Sequence, residues 1–213
     1  RRPDAAAAGV TVPDLPQTRC WLASPGAPSP VSLAARAAET GDPELARLLR
    51  WNEAVDAAIA RRCPRFPPFP AAPAALRRMA DAADLVCLSQ SPAATLEREW
   101  TEAGLRGTIR FLAGVEFGCK SDQLRLAAAG KYPADQILMI GDAPGDRQAA
   151  REAGALFFPI PPGSENAAWE RLASDAFDRF LKGQYAGAYE TALIASFDSQ
   201  LPDSPPWTRT PKS

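Results

Sequence analysis

The stretch Ile137-Leu138-Met139-Ile140-Gly141-Asp142-Ala143-Pro144-Gly145-Asp146 decides how this chain is interpreted. Its first four residues are apolar and predict a buried strand. The strand runs into a turn built from Gly and Pro that carries two aspartates four positions apart, and a helix is predicted over 147–153. Carboxylates at the carboxyl end of a buried strand, on a Gly-rich turn, are typical of a metal or phosphate site in an α/β protein.

Strands and helices alternate around this motif. Strands are predicted over 85–88, 109–112, 137–140 and 155–160, and helices over 74–83, 93–103, 120–129 and 147–153. Short apolar runs that alternate with helical segments are typical of a parallel sheet with right-handed crossovers. The sequence therefore predicts an α/β fold.

The regions on either side of this core differ from it in pattern. Residues 31–62 show helical spacing, and Asp42-Pro43-Glu44 predicts a helix start within them. Between Pro64 and Pro73 there are five prolines, and helices do not cross such a stretch. We therefore predict a helical segment over 1–64, an α/β core over 65–165, and a C-terminal region over 166–213 with two amphipathic helices in 166–201.

The composition excludes several classes of function. The chain has no histidine, which removes Ser-His and Cys-His nucleophile pairs and His-ligated zinc. A net charge of −1 gives no electrostatic case for a nucleic acid or an anionic membrane as partner. No apolar run is long enough to span a membrane. None of the four cysteines forms a Cys-x-x-Cys pair, so we expect free thiols and a cytoplasmic protein.

Three groups can carry chemistry, and each has a simpler interpretation. Asp142 and Asp146 suit Mg²⁺, which prefers carboxylate oxygens, although an Asp also starts a helix well. Ser89 and Gln90 follow a predicted strand, where a hydroxyl and backbone N–H groups can bind a phosphoryl oxygen, although Ser is also an ordinary helix cap. Lys120 stands at a helix start, where a cation is unfavourable unless an anion lies nearby. A solvated surface lysine is the simpler alternative there.

In this order, the elements resemble the haloacid dehalogenase-like (HAD) hydrolase superfamily. An apolar strand ends in Ser89, Lys120 begins a helix, and a further strand ends in Gly141-Asp142 with Asp146 four residues later. Pro67 to Met79 also looks like the superfamily's linker from the cap domain back to the core. The resemblance spans about residues 66–160. It implies a Rossmann-like parallel sheet core with a helical cap segment over 1–64.

The resemblance also implies an activity, phosphoryl transfer through an aspartyl phosphate. Ser89 and Gln90 would bind the phosphoryl group, Lys120 would neutralise charge on the nucleophile and phosphate, and Asp142 and Asp146 would hold Mg²⁺. The expected substrate is a small phosphorylated metabolite. The oligomeric state stays open.

One motif of the superfamily has no match in the sequence. The nucleophile normally lies in an Asp-x-Asp motif after an apolar strand, and the chain contains no Asp-x-Asp. The segment Val10–Thr18 is a poor substitute, because Pro16 stands where the acid/base should be. In the superfamily this strand lies between those ending at Ser89 and at Gly141, and its omission would leave unpaired backbone groups. We therefore expect the natural protein to have further residues upstream that supply the strand, and we expect no turnover from the present chain alone.

Two alternatives remain open at this stage. The chain could be a catalytically inactive relative in which the fold serves as a binding or interaction module. It could also be a phosphomutase or a dehalogenase on the same fold, although the aspartate pair argues against a dehalogenase, which needs no metal.

Overall fold

The computed structural model describes residues 7–9, 11, 13–25, 29–62, 67–128 and 130–201. These residues fall into two compact units, one that ends at residue 62 and one that covers 67–201. The division between the units falls after residue 62 and before residue 67, and the helices after residue 166 belong to the same unit as the strands. Residues 10, 12, 63–66, 129 and 202–213, on which some predictions fall, lie outside the described residues.

The first unit is helical, as predicted. Its described helices are α1 (Pro16–Leu22), α2 (Pro30–Thr40) and α3 (Pro43–Arg62). Asp42 starts α3 as predicted, because its Oδ1 accepts a hydrogen bond of 2.8 Å from the backbone N–H of Glu44. The same glutamate ties α1 to α3, since its carboxylate accepts bonds from both the N–H and the hydroxyl of Thr18, each at 2.7 Å.

The second unit alternates strands and helices in the predicted order. Its strands are β1 (Val86–Leu88), β2 (Phe111–Ala113), β3 (Leu138–Gly141) and β4 (Leu156–Pro159). Its helices are α4 (Ala72–Ala80), α5 (Ala93–Glu102), α6 (Lys120–Ala128), α7 (Pro144–Glu152), α8 (Glu165–Arg171), α9 (Phe177–Leu181) and α10 (Ala188–Gln200). A π-helical turn over Leu172–Ala176 joins α8 to α9.

All four strands are paired in parallel, which confirms the predicted α/β class. β1 pairs with β2 in the register Val86 with Phe111, and β3 pairs with β4 in the register Leu138 with Leu156. The four strands do not form one continuous sheet, because within the described residues β1 and β3 have no strand between them and do not pair with each other.

Both two-stranded sheets are packed between the same helices. On one face, Met139 of β3 packs in a cluster with Leu124 of α6, and Leu88 at the end of β1 contacts this cluster. On the opposite face, Leu138 of β3 and Leu85 just before β1 both contact a cluster built on α4 and the π-helical turn. Successive side chains of β3 therefore contact helices on opposite faces, as expected for a strand that is covered by helices on both sides.

The outer edge of β4 is closed by side chains. The N–H of Phe157 donates to Oε1 of Glu190 at 2.8 Å, and its carbonyl accepts a 2.7 Å bond from the hydroxyl of Tyr185. Tyr185 is fully buried. Both hydrogen-bonding groups of this edge residue are therefore satisfied without a neighbouring strand.

Among the described residues, no strand pairs with the edge of β1 away from β2 or with the edge of β3 away from β4. Leu85 and Ser89 bond to β2, so by alternation the backbone groups of Val86 and Leu88 point to the other edge of β1. The same alternation turns Leu138 and Ile140 of β3 away from β4. Residues 86–88 are all only half-buried, whereas Phe157 of β4 is 2% exposed.

Within the described residues, no helix combines the length and the apolar character that crossing a bilayer requires.

Candidate functional site

The predicted site residues lie at one edge of the second unit. Ser89 follows β1 and Asp142 follows β3, and the carboxyl ends of parallel strands that share helical layers point the same way. Lys120 is the first residue of α6, which packs on β1 and on α7. These positions surround the open edges of β1 and β3.

Ser89 lies at the point where β1 gives way to a turn. Its N–H donates to the carbonyl of Ala113 at 2.9 Å and extends the pairing with β2 by one residue. Its Oγ accepts a bond of 3.0 Å from the N–H of Ser91. No described residue accepts the hydroxyl hydrogen of Ser89. Gln90 is exposed, and its side-chain amide donates to the carbonyl of Gly118 at 3.2 Å.

Lys120 forms an ion pair with Asp146, in which Nζ donates to Oδ1. Three-tenths of the lysine side chain is exposed, whereas the aspartate side chain is 3% exposed. The sequence alone does not show which anion lies near Lys120 at this helix start. The structure shows that the Asp146 carboxylate is one such anion.

Asp146 also organises the turn on which it lies. Its Oδ2 accepts hydrogen bonds from the N–H groups of Asp142 and Ala143, at 3.1 and 3.2 Å. The carboxylate packs against Gly141, where an added Cβ would lie 2.7 Å from Cγ of the aspartate. Asp146 therefore acts as the helix-start residue of α7 and as the partner of Lys120 at the same time.

Asp142 differs from Asp146 in its exposure. It lies on the surface of the turn, directly after Gly141 at the end of β3. Its N–H is held by Asp146, which fixes the backbone from which its side chain projects. Asp142 is therefore the carboxylate of the pair that solvent and ligands can reach.

The two carboxylates differ in their fit to Mg²⁺. In the described ranges, no cluster of three or more His, Cys, Asp or Glu side chains could hold a metal ion. Mg²⁺ does not require such a cluster, because it is commonly bound by one or two carboxylates together with waters and substrate phosphate. Asp142 suits this role, whereas both oxygens of Asp146 already accept hydrogen bonds. The donor set fits Mg²⁺ bound through Asp142, with Asp146 fixing the backbone from which the Asp142 side chain projects.

Two further residues of the site were not predicted from the sequence. Gln123 is 1% exposed, and its side-chain NH₂ contacts the carbonyls of Ser89, Gly114 and Gly118. Glu116 accepts a hydrogen bond of 3.1 Å from the N–H of Ala93 at the start of α5. No sequence signal marks either residue, because a polar side chain in a helix or a loop ordinarily faces water.

Cys87 lies in the middle of β1, beside the site. Burial raises the pKa of its thiol to about 11, and the nearby Lys120 charge only partly opposes this shift. The thiol is therefore neutral at ordinary pH and behaves as a small apolar side chain.

Together, these elements define an α/β protein with parallel strands, whose site combines a hydroxyl, an ammonium group and an exposed carboxylate. No protein-family model and no curated protein matches the chain. Three chains of known structure match. One is a haloacid dehalogenase-like family hydrolase from Streptococcus pneumoniae, which is 19% identical, covers 91% of this chain and 86% of its own, and has a TM-score of 0.47. At this identity and TM-score, the likeness does not establish a family or an activity.

Proposed function

We propose that this chain belongs to a Mg²⁺-dependent hydrolase of the HAD-like superfamily, a phosphatase that acts on a small phosphorylated metabolite. The observation that carries the proposal is the grouping of Ser89, Lys120 and Asp142 around the open edges of β1 and β3. A hydroxyl donor, a cation and a reachable carboxylate are the groups needed to hold a phosphoryl group and balance its charge.

In the proposed reaction, an aspartate carboxylate attacks phosphorus, and a P–O bond to the substrate's leaving group breaks as the new O–P bond forms. A general acid protonates the leaving oxygen. Water then attacks the aspartyl phosphate, which releases inorganic phosphate and restores the carboxylate. Bound Mg²⁺ would clamp the phosphate and offset its charge. Ser89 and Gln90 would bind phosphoryl oxygens, and Lys120 would neutralise the charge that nucleophile and phosphate share.

The nucleophile itself requires a strand that is not among those described. We propose that a strand ending in Asp-x-Asp pairs with both β1 and β3, and joins the two sheets into one. Its fit is supported by the outward-pointing backbone groups of Val86, Leu88, Leu138 and Ile140, and by the half-buried apolar side chains of β1. Its carboxylates would then lie between Ser89 and Asp142.

The helical first unit would be the later part of a cap that shapes substrate choice, and the protein would be cytoplasmic. The location is supported by the free thiols of Cys20, Cys87 and Cys119 within the described residues. We propose no nucleic-acid or membrane partner, because the net charge of −1 offers no electrostatic attraction to either.

The test is hydrolysis of p-nitrophenyl phosphate, with and without Mg²⁺, by the protein in a form that includes an Asp-x-Asp strand. We expect Mg²⁺-dependent turnover, and the 213-residue chain alone should show none. Asp142→Asn should remove most of the activity, while the matched change Asp135→Asn, at an exposed position outside the site, should leave it intact. An unchanged rate in Asp142→Asn would show that the metal assignment is wrong.

A second candidate function is a catalytically inactive HAD-like binding or interaction protein. The observation in its favour is the sequence, which contains no Asp-x-Asp. If no such motif precedes these residues in the complete reading frame, the hydrolase proposal should be abandoned. A phosphomutase would instead transfer the phosphoryl group to a second sugar hydroxyl, and a dehalogenase would act without Mg²⁺. The metal dependence and the released product distinguish these from a phosphatase.

A further inference from the structure

We propose that Gln123 is a positioning residue that locks two loops of the site and helix α6 into one arrangement. Its side-chain nitrogen lies 3.0 Å from the carbonyl oxygen of Ser89, 2.8 Å from that of Gly114 and 3.1 Å from that of Gly118. These oxygens belong to the turn after β1 and to the loop between β2 and α6. Gln123 itself lies on α6, one helical turn after Lys120.

The orientation of this amide is fixed by its surroundings. Its NH₂ group has two hydrogens for three carbonyl acceptors, so one hydrogen is shared. Its oxygen, Oε1, is buried and has no hydrogen-bond partner among the described residues. A flipped amide would place that oxygen against three carbonyl oxygens. An unpartnered buried acceptor is unfavourable, so its presence shows that the three carbonyl contacts dominate the position of the side chain.

The consequence for the site follows from the geometry of a peptide bond. In a trans peptide the N–H of a residue points opposite to the preceding carbonyl. Because Gln123 holds the carbonyl of Ser89, it also directs the N–H of Gln90 to the opposite side of that peptide. The clamp thus sets the direction of a backbone donor beside the Ser89 hydroxyl, and ties both to the helix that begins with Lys120.

Neighbouring contacts reinforce the same arrangement. Gln90 donates to the carbonyl of Gly118, which Gln123 also contacts, and the N–H of Val115 donates to the carbonyl of Ser91 at 3.0 Å. Gly114 is buried and cannot carry a side chain, because an added Cβ would lie 2.8 Å from the carbonyl oxygen of Ser91. The two loops therefore pack backbone to backbone, with the amide of Gln123 at their junction.

The structural arm of the test is amide hydrogen exchange on the 213-residue chain. Gln123→Leu, which keeps the size and removes the donors, should speed exchange about tenfold at residues 89–91 and 114–118 while leaving β4 unchanged. The matched control is Gln148→Leu, because Gln148 is an exposed helical glutamine whose side chain, within the described part of the chain, bonds to its helix neighbours Arg151 and Glu152. Equal exchange in wild type and Gln123→Leu, or a uniform increase across the second unit, would overturn the proposal.

A measurement on the unmodified protein guards against a variant that fails to fold. The two side-chain NH₂ protons of Gln123 should give separate NMR signals that exchange with solvent at least about tenfold more slowly than those of Gln148. Equally fast exchange of the two side chains would contradict the clamp.

The functional arm rests on the proposed function and uses inorganic phosphate with Mg²⁺ as the probe. Gln123→Leu should weaken phosphate binding about tenfold, and Gln148→Leu should not change it. If the wild-type protein in the form that includes the Asp-x-Asp strand does not bind phosphate, the proposed function loses its support, while the exchange arm still decides whether Gln123 clamps the loops. If phosphate binds and Gln123→Leu leaves its affinity unchanged, the positioning role is refuted.

Discussion

The ion pair between Lys120 and Asp146 allows a sharp stability experiment. The perturbation is Lys120→Met, which keeps most of the apolar stem and removes the charge. In the variant, the Asp146 carboxylate stays 3% exposed and keeps only its two backbone N–H donors, at 3.1 and 3.2 Å. A buried carboxylate without a counter-charge is strongly destabilising.

The loss of folding free energy in Lys120→Met depends on how deeply the two partners are buried. Removing one partner of a fully buried pair costs roughly 3–5 kcal/mol. Because three-tenths of the lysine side chain is exposed to water, we expect a loss at the lower end, about 3 kcal/mol. For a chain of this size, each kcal/mol lowers Tm by about 2–4 °C, so Tm should fall by about 6–12 °C.

The assay is thermal and urea unfolding followed by circular dichroism, on a complete double-mutant cycle. Asp146→Asn removes the buried charge, so adding Lys120→Met to it should cost at least about 1 kcal/mol less than Lys120→Met alone. Lys182→Met, at an exposed position, is the matched control and should change stability by less than about 0.5 kcal/mol. Strictly additive effects in the cycle, or a Lys120→Met variant as stable as the control, would refute the ion-pair reasoning.

Three further predictions test the packing around the site and at the sheet edge. Gly141→Ala should destabilise the protein by roughly 1–3 kcal/mol in urea unfolding, because its Cβ overlaps the buried aspartate, whereas Gly145→Ala, with nothing within 4 Å, should be neutral or stabilising. At pH 8, iodoacetamide should modify the exposed Cys119 and spare Cys87, whose pKa of about 11 keeps its thiol protonated in the folded protein. This protonated thiol favours folding fully below the unfolded-state pKa of about 8.5, and the contribution is lost as the pH rises toward 11. Equal alkylation of the two cysteines by mass spectrometry would contradict this. Tyr185→Phe should cost about 1–2 kcal/mol, because it leaves a buried carbonyl of β4 without its donor, and an unchanged urea midpoint would disprove the role of this hydroxyl.

The fold could be predicted to the extent that it depends on local pattern. The strand before Asp142 and the helix that begins at Lys120 both lie where apolar runs and helix signals place them. The helix after the Gly-Pro turn starts at Pro144, three residues earlier than predicted. The pair Pro144-Gly145 predicts a turn. However, a proline also suits the first position of a helix, and an aspartate such as Asp146 suits the third position.

The parts of the site that escaped prediction depend on contacts between distant segments. Asp146 is predicted to help hold Mg²⁺, and the structure adds that its two oxygens bond to Lys120 and to backbone N–H groups, a distribution that no spacing reveals. Gln123 contacts Ser89, which is 34 residues away, and nothing in a helical glutamine indicates that it is buried. The short helix Pro16–Leu22 lacks periodicity because it has no buried residue.

The contrast between the two kinds of strand edge has a practical consequence for anyone who prepares the protein. Another strand cannot pair with Phe157 at the outer edge of β4, because its backbone N–H already donates to Glu190 and its carbonyl already accepts from Tyr185. The facing edges of β1 and β3 can recruit the extended backbone of any chain that reaches them. We therefore expect the 213-residue chain to self-associate as its concentration rises, and a soluble peptide of matching strand sequence to suppress that association.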